Sequence, residues 1–261
     1  MSDRSPVPAN PSATVLLLRD GGNGLEVFMV ERHREIDFAS GALVFPGGRL
    51  DPADAALARA RPADGLTPEE TAFRLCGIRE TFEEAGILLA RDEAGGPLVG
   101  GARLDQLQDR YRAKLHANEI SLADIQAAEG IHYACDHMTP FAHWITPKVS
   151  PKRFDTMFYL AVAPGEQLGG HDGRESVDSI WITPAQALAD QAAGKRSIVF
   201  ATRLNLEKLG RASTVDEAFA NAAGEALVTV EPTMEGADGG RIFRIPAEAG
   251  YGGSEFFEPA S

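Results

Sequence analysis

Three glutamates are the residues whose types and spacing most clearly suggest chemistry in this sequence. Glu80, Glu83 and Glu84 lie within five positions, and in a helix they would share roughly a third of the circumference. Like charges at this spacing repel each other and weaken a helix. A hard divalent cation such as Mg²⁺ would turn that repulsion into binding. A solvated acidic face is the alternative that the glutamates alone leave open.

A helix must carry these side chains, and its ends are marked in the sequence. Thr67 fits the N-cap, Pro68 the first turn and Glu70 the capping box, while Gly86 fits the end of the helix. The apolar residues of the segment collect on the arc opposite the glutamates: Leu75, Ile78, Phe82 and Ala85.

Strands and a glycine turn precede this helix. Residues 13–20 and 24–32 are two apolar runs joined by the turn segment "DGGNG", which predicts a β-hairpin. A further strand at residues 41–45 leads into Gly47 and Gly48, where the backbone can approach a ligand closely.

The whole chain predicts one elaborated domain. We place a flexible tail at residues 1–12, the domain at 13–225 and a C-terminal extension at 226–261. Insertions interrupt the domain at about residues 51–66, with one short helical turn, and at about 97–135, with two helical stretches. Later strands are expected at 140–147, 153–164 and 176–184, closing helices at 184–194, 197–210 and 214–224, and a terminal hairpin pairing 226–232 with 240–246.

Together these segments resemble the Nudix hydrolase family, whose signature GX5EX7REUXEEXGU (U is aliphatic) forms a loop, a helix and a loop around a metal site. Residues 79–87, "RETFEEAGI", fit its second half, with Thr81 at an aliphatic position. Residues 47–54, "GGRLDPAD", resemble its first half, with Asp54 where the early glutamate is expected.

The two halves of the motif are separated by extra residues. Gly48 and Glu80 are 32 positions apart where the family's spacing gives 15, so 17 residues are inserted, and the role of Asp54 stays open. The split motif, together with "HWITP" followed by "RFDT", resembles the Nudix branch that includes a peroxisomal coenzyme A diphosphatase.

The resemblance implies an α/β fold, namely a Nudix α/β/α sandwich with a mixed sheet, two insertions and a helical C-terminal region. It implies Mg²⁺ or Mn²⁺ as cofactor, bound by Glu80, Glu83 and Glu84 with the Gly47 backbone carbonyl as a further ligand. Glu80, Glu83 and Arg79 would be catalytic, with Arg79 orienting the glutamates.

A carboxylate from a later loop often joins such sites. Glu175 is the candidate here, Asp178 competes with it, and a solvated loop acid is the alternative for both.

The substrate implied is a small-molecule nucleotide, and in this branch the diphosphate of coenzyme A or acyl-CoA. Arg32 and "GALVFPGG" fit parts of a coenzyme A pattern, although Asp37 replaces its second arginine. The remaining candidate substrate-binding residues are Gly48, Arg49, Lys152 and Arg153. Hydrolysis of ADP-sugars or dinucleotides, and a nucleotide-binding module without turnover, are the alternatives.

Composition limits the other functions open to the chain. A net charge of -13 over 261 residues argues against binding to nucleic acid or an anionic membrane. Cys76 and Cys135 form no CxxC pair, and no apolar leader or membrane-spanning run is evident, so we expect a cytoplasmic location. His143, on an apolar strand, is interpreted as a hydrogen-bonded core residue, and the sequence permits a homodimer.

Overall fold

A mixed β-sheet forms the centre of the computed structural model, which describes residues 6–31, 42–165 and 179–259. Along the sheet the strands run in the order β10-β7-β8-β1-β2-β3, with β4 paired to β1 and β9 paired to β2. The pairs β1 with β8 and β7 with β10 are parallel. The strands are β1 (Asn10–Gly21), β2 (Gly24–Glu31), β3 (Leu43–Val44), β4 (Gly47–Arg49), β5 (Ala90–Arg91), β6 (His132–Tyr133), β7 (Thr139–Ile145), β8 (Phe154–Val162), β9 (Ser179–Ile182), β10 (Thr229–Val230), β11 (Thr233–Ala237), β12 (Gly240–Arg244) and β13 (Glu255–Pro259).

Helices cover both faces of this sheet. Along β1, Val15 and Leu17 face one apolar core while Leu16 and Leu18 face a second core on the other side. This alternation is that of a strand buried on both faces, so the predicted α/β/α sandwich is confirmed. The helices are α1 (Pro52–Ala60), α2 (Pro68–Ala85), α3 (Gly101–Leu107), α4 (Ala113–His116), α5 (Leu122–Glu129), α6 (Pro184–Ala192), α7 (Phe200–Leu209) and α8 (Val215–Gly224), with a π-helical segment at Gln108–Arg112.

Helix α2 is fixed tightly against the sheet. Thr67 and Glu70 form the predicted capping box, and Gly86 ends the helix with a φ of 70°. A side chain at Gly77 would come within 2.8 Å of Val15 and Met138, so this glycine permits the close approach of α2 to β1. The buried hydroxyl of Thr81 donates to the carbonyl of Gly77, which explains how a polar residue fits the motif's aliphatic position.

A short antiparallel pair of strands joins the two ends of the longer insertion. Ala90 pairs with Tyr133 and Arg91 with His132, so β5 and β6 close the base of the helical segment between them. The two helical stretches predicted there are confirmed, and they pack on the same core as α2.

Three sequence predictions need correction. The tail was expected to reach residue 12, but β1 begins at Asn10 because Pro11 pairs with Asp155 and its carbonyl accepts from Leu50. The shorter insertion contains a nine-residue helix, α1, rather than a single turn.

The terminal hairpin also differs from its prediction. Its first strand is β11, which lies in the connection between the two predicted strands, and Val230 pairs instead with Trp144 of the main sheet. The connection is Asp238–Gly239, a two-residue sequence favoured in tight hairpins. β13 adds a third strand to this second sheet.

Within the ranges described above, no helix is long and apolar enough to cross a bilayer.

Candidate metal-dependent active site

Arg79 organises the acidic face of α2. Its Nη1 donates to Glu80 Oε1 at 2.7 Å and to Glu83 Oε1 at 3.3 Å, and its Nη2 donates to the carbonyl of Arg49 at 2.8 Å. The Glu80 and Glu83 side chains are only 12% and 10% exposed. The predicted orienting role of Arg79 is consistent with these contacts, which hold two candidate ligands from one guanidinium.

Asp54 is the residue whose importance the sequence left open. Its carboxylate is 2% exposed and accepts from Arg79 Nε at 3.1 Å, and it also caps α1 by accepting from the Asp51 N–H. The shorter insertion therefore places the Asp54 carboxylate behind Arg79. In the sequence, the only sign of this role was that Asp54 stands where the motif's early glutamate is expected.

The glycine turn brings backbone against the glutamates. The N–H of Gly47 donates to Glu84 Oε2 at 3.1 Å, and a side chain at Gly48 would come within 2.5 Å of the Glu80 carboxylate. At Gly47, an added side chain would meet the Ala13 carbonyl at the same 2.5 Å. Position 47 therefore requires glycine for the turn to lie this close to β1, whereas a side chain at Gly48 would displace the Glu80 carboxylate.

The local electrostatics follow from this burial. Burial raises the pKa of Glu80, with the neighbouring Glu83 adding to the effect while Arg79 opposes it. Burial likewise raises the pKa of Asp54 against the opposing effect of Arg79. For Arg79, burial acts to lower the pKa, but the surrounding carboxylates outweigh it and the pKa rises, so the guanidinium stays charged.

The environment of Cys76 does not favour a reactive thiolate. Its thiol is buried, and burial raises the pKa of that thiol well above the ordinary range, so a structural role suits this residue.

The longer insertion reaches the C-terminal turn of α2. Arg112 donates from Nε to the Glu83 carbonyl at 3.0 Å and from Nη2 to the Glu84 carbonyl at 3.1 Å. His116 Nδ1 lies 3.6 Å from Glu83 Oε2. No sequence pattern marked these two residues, because contacts between an insertion and a distant helix depend on tertiary packing.

The donor set suits a hard divalent cation. Carboxylate oxygens and a backbone turn are the ligands that Mg²⁺ and Mn²⁺ take in proteins, and three glutamates line one wall here. In the described ranges no three acidic, histidine or cysteine side chains already converge on a common point. Glu80 and Glu83 are engaged with Arg79 and Glu84 with Gly47, and all three residues line the cleft.

An open cleft of about 1370 Å³ lies in front of the acidic face. The three glutamates, the turn at residues 47–49 and Lys152 line it, together with aromatic residues that include Trp144 and Phe200. The predicted substrate-binding residues Gly48, Arg49 and Lys152 therefore share one cavity with the predicted metal ligands.

Arg153 was also predicted to bind substrate, but it is not among the residues that line the cleft. The residue is buried, and its guanidinium donates to the carbonyls of Thr146 and Val7 and to Glu231. It joins the start of β8 to the N-terminal segment and is structural. Arg32, Glu175 and Asp178 lie outside the described residues.

His143 is hydrogen-bonded as predicted, and the neighbouring Trp144 is buried. The Trp144 indole donates to the Tyr251 hydroxyl at 2.8 Å, and the His143 ring nitrogens contact Asp155 and Thr229. Trp144 nevertheless reaches the cleft with part of its surface.

Comparison with known proteins agrees with this arrangement. The chain matches the family described as the NUDT19 Nudix domain over residues 56–199, which is more than half of its length. The chain belongs to the Nudix hydrolase family. The predicted family and its split-motif branch are therefore confirmed.

Two Nudix relatives have informative names. A Xenopus laevis protein named acyl-coenzyme A diphosphatase NUDT19 is 24% identical over 270 residues, covering 87% of this chain and 71% of that protein. A Homo sapiens protein of the same name is 30% identical over 213 residues, covering 63% of this chain and 55% of that protein. The chain thus spans little more than half of the human relative.

A solved Nudix structure supports the fold. The crystal structure of a NUDIX hydrolase from Alicyclobacillus acidocaldarius superposes with a TM-score of 0.68 and 27% identity, covering 82% of this chain and 96% of that one.

Proposed function

We propose that this Nudix protein hydrolyses the diphosphate of coenzyme A or acyl-CoA with the help of a divalent cation. The observation that carries the proposal is the row formed by Glu80, Glu83 and Glu84, which Arg79 and the glycine turn position on one wall of a large cleft. The names of the Xenopus and human relatives support the substrate class.

The cleft has the capacity that such a substrate needs. Ligand pockets usually enclose about 300–1,000 Å³, and this open cleft of about 1370 Å³ extends from the acidic face to aromatic residues on α7 and beyond. A nucleotide with a long second arm therefore has room on both sides of the diphosphate.

The residues of the acidic face have different roles in the proposed hydrolysis. Bound Mg²⁺ or Mn²⁺, held by Glu80, Glu83 and Glu84, would neutralise phosphate charge and lower the pKa of the attacking water. Arg79 fixes two of these carboxylates, and Asp54 fixes Arg79 from behind. A carboxylate within hydrogen-bond reach accepts the proton of the water as it attacks phosphorus. The P–O bond of the diphosphate breaks, and the products are adenosine 3′,5′-bisphosphate and a phosphopantetheine fragment.

Some finer predictions belong to the same proposal. From the sequence we predict a preference for Mg²⁺ or Mn²⁺ and a cytoplasmic location. We also predict that the protein binds neither nucleic acid nor membranes. The Gly47 carbonyl and Glu175 stay predicted as further metal ligands, and a homodimer is compatible with the chain.

The test is metal-dependent turnover of a panel containing coenzyme A, acetyl-CoA, ADP-ribose, NADH and diadenosine polyphosphates, with products identified by mass. We expect selective formation of adenosine 3′,5′-bisphosphate from the coenzyme A compounds. Preferred cleavage of another compound would replace the substrate, and no cleavage at any metal concentration would favour the nucleotide-binding module.

Glu83→Gln is the variant that tests the metal site. Because the change removes one charge from the ligand row while keeping its shape, we expect turnover to fall by about a hundredfold or more. Glu69→Gln, at an exposed position in the first turn of the same helix, is the matched control and should keep full activity. Undiminished turnover of Glu83→Gln, with its fold verified by circular dichroism, would contradict the site.

A further inference from the structure

The C-terminal sheet forms a wall of the active-site cleft. Side chains alternate along its strands, so Arg241 and Phe243 of β12 share one face, together with their partners Met234 and Glu258 on the flanking strands. All four of these residues line the cleft. The opposite face carries Arg244, which pairs in solvent with Glu235 and Glu255.

Aromatic packing fixes this wall to the Nudix domain. The Phe243 ring stacks on Phe200 of α7 with 4.4 Å between ring centroids, and Phe256 of β13 meets Phe200 edge-on at 5.8 Å. Glu258 pairs with Arg203 of the same helix. The sheet is therefore held at the cleft by both apolar and ionic contacts.

Arg241 is an exposed residue of this wall. Its cross-strand neighbour Glu258 is already paired with Arg203. Over the described parts of the chain, no hydrogen bond or ion pair to the Arg241 guanidinium is present. In a protein with a net charge of -13, an unpaired arginine that lines the substrate cleft marks a local site for an anion.

The other cleft-lining cations belong to different segments of the chain. Arg49 is adjacent to Gly48 and its carbonyl accepts from Arg79, while Lys152 belongs to the loop between β7 and β8. Arg49 therefore suits the diphosphate at the metal site. Arg241 stands on a different structural unit, where a second anionic group of the substrate can be recognised.

We propose that Arg241 binds the ribose 3′-phosphate of coenzyme A and thereby gives the C-terminal sheet a role in substrate selection. This inference rests on the proposed function, because it assigns a second phosphate site to the same substrate. A phosphomonoester carries about -1.5 to -2 charges at neutral pH, and a guanidinium can bind it through two parallel hydrogen bonds. Substrates that lack this group would lose the contact.

Paired substrates test the assignment directly. Dephospho-CoA differs from coenzyme A only by the missing 3′-phosphate, so kcat/KM for both is measured in wild type, Arg241→Gln and Arg244→Gln at one low ionic strength. We expect Arg241→Gln to lower kcat/KM for coenzyme A about tenfold, mainly through KM, and to change that for dephospho-CoA less than about twofold. Arg244→Gln, on the opposite face of the same strand, should match wild type.

The contrary outcomes are distinct. Equal losses on both substrates would place Arg241 at the diphosphate instead, and no loss on either, or the same loss in Arg244→Gln, would remove the proposed role. A selective loss in Lys152→Gln but not in Arg241→Gln would move the 3′-phosphate site to the β7–β8 loop.

A binding measurement separates this inference from the proposed function. Titration calorimetry with adenosine 3′,5′-bisphosphate and with AMP needs no turnover. We expect wild type to prefer the bisphosphate and Arg241→Gln to lose that preference. If wild type cleaves no coenzyme A, the proposed function fails, whereas a preference unchanged in Arg241→Gln overturns the Arg241 assignment alone.

Discussion

At the scale of single residues, the site depends on one arginine that is shared among acids. Arg79 contacts Asp54, Glu80 and Glu83, so its single positive charge faces three carboxylates in a largely buried environment. Such a set retains negative charge towards the cleft, which is what cation binding requires. Asp54 lies behind the arginine, and its hydrogen bond to Arg79 is its direct contact with this set.

Asp54→Asn tests this positioning role. Because Asn lacks the charge that balances Arg79 from behind, the guanidinium will associate more closely with Glu80 and Glu83 and compete with the cation. We expect about a tenfold rise in the Mg²⁺ concentration needed for half-maximal turnover, with little change in KM for the nucleotide at saturating metal. Steady-state kinetics across a Mg²⁺ series measure both quantities.

Asp64→Asn serves as the control for Asp54→Asn, because it removes an exposed carboxylate from the same insertion. An unchanged Mg²⁺ requirement in Asp54→Asn would show that Arg79 orients the glutamates without help from the insertion.

At the scale of elements, two insertions support one helix at two different positions. Helix α1 supplies Asp54 to the middle of α2, and the longer insertion supplies Arg112 to its last turn. The final carbonyls of a helix lack partners within it, and a cation at that end also interacts favourably with the helix dipole. The turn that carries Glu83 and Glu84 is therefore held in place by residues outside the motif.

Arg112→Ala should loosen that turn. The carbonyls of Glu83 and Glu84 lose their donors, so we expect turnover to fall about tenfold while the helical content changes little. Lys114→Ala, an exposed change two residues later, should leave turnover unaffected. Circular dichroism and kinetics on the two variants distinguish them, and equal activities would show that Arg112 only caps the helix.

At the scale of the whole molecule, the cleft is built from distant parts of the chain. The turn at residues 47–49, α2, the β7–β8 loop, α7 and the C-terminal sheet all contribute to it. Like charges in the row of glutamates oppose folding, and a bound cation would relieve that repulsion. We therefore expect metal binding to be coupled to stability as well as to catalysis.

Mg²⁺ should therefore raise the melting temperature. A ligand present at about 100 times its Kd stabilises the folded state by about 2.7 kcal/mol, which corresponds to a rise of about 5–10 °C for a protein of this size. Differential scanning fluorimetry with and without MgCl₂ measures it, with CaCl₂ and NaCl of matched ionic strength as controls. In Glu83→Gln the rise should largely vanish, and an equal rise in both proteins would place the ion elsewhere.

The sequence by itself determined the helix that carries the chemistry. The caps of α2, its opposed apolar and acidic arcs and the two glycines before it are local patterns, and local hydrogen bonding and side-chain periodicity suffice to specify them. The resemblance to the Nudix family then implied the sandwich. The family signature also named the candidate ligands Glu80, Glu83 and Glu84.

Only the tertiary structure decided the surroundings of the charged residues outside this helix. Asp54 and Arg112 reach it across insertions, Arg153 turns inward to protein carbonyls, and Arg241 is brought to the cleft by a sheet more than a hundred residues away in sequence. A charged residue has the same appearance in sequence whether it is solvated, paired or facing a ligand. Its partners depend on how distant segments pack, because burial and charge compensation are properties of the folded surroundings.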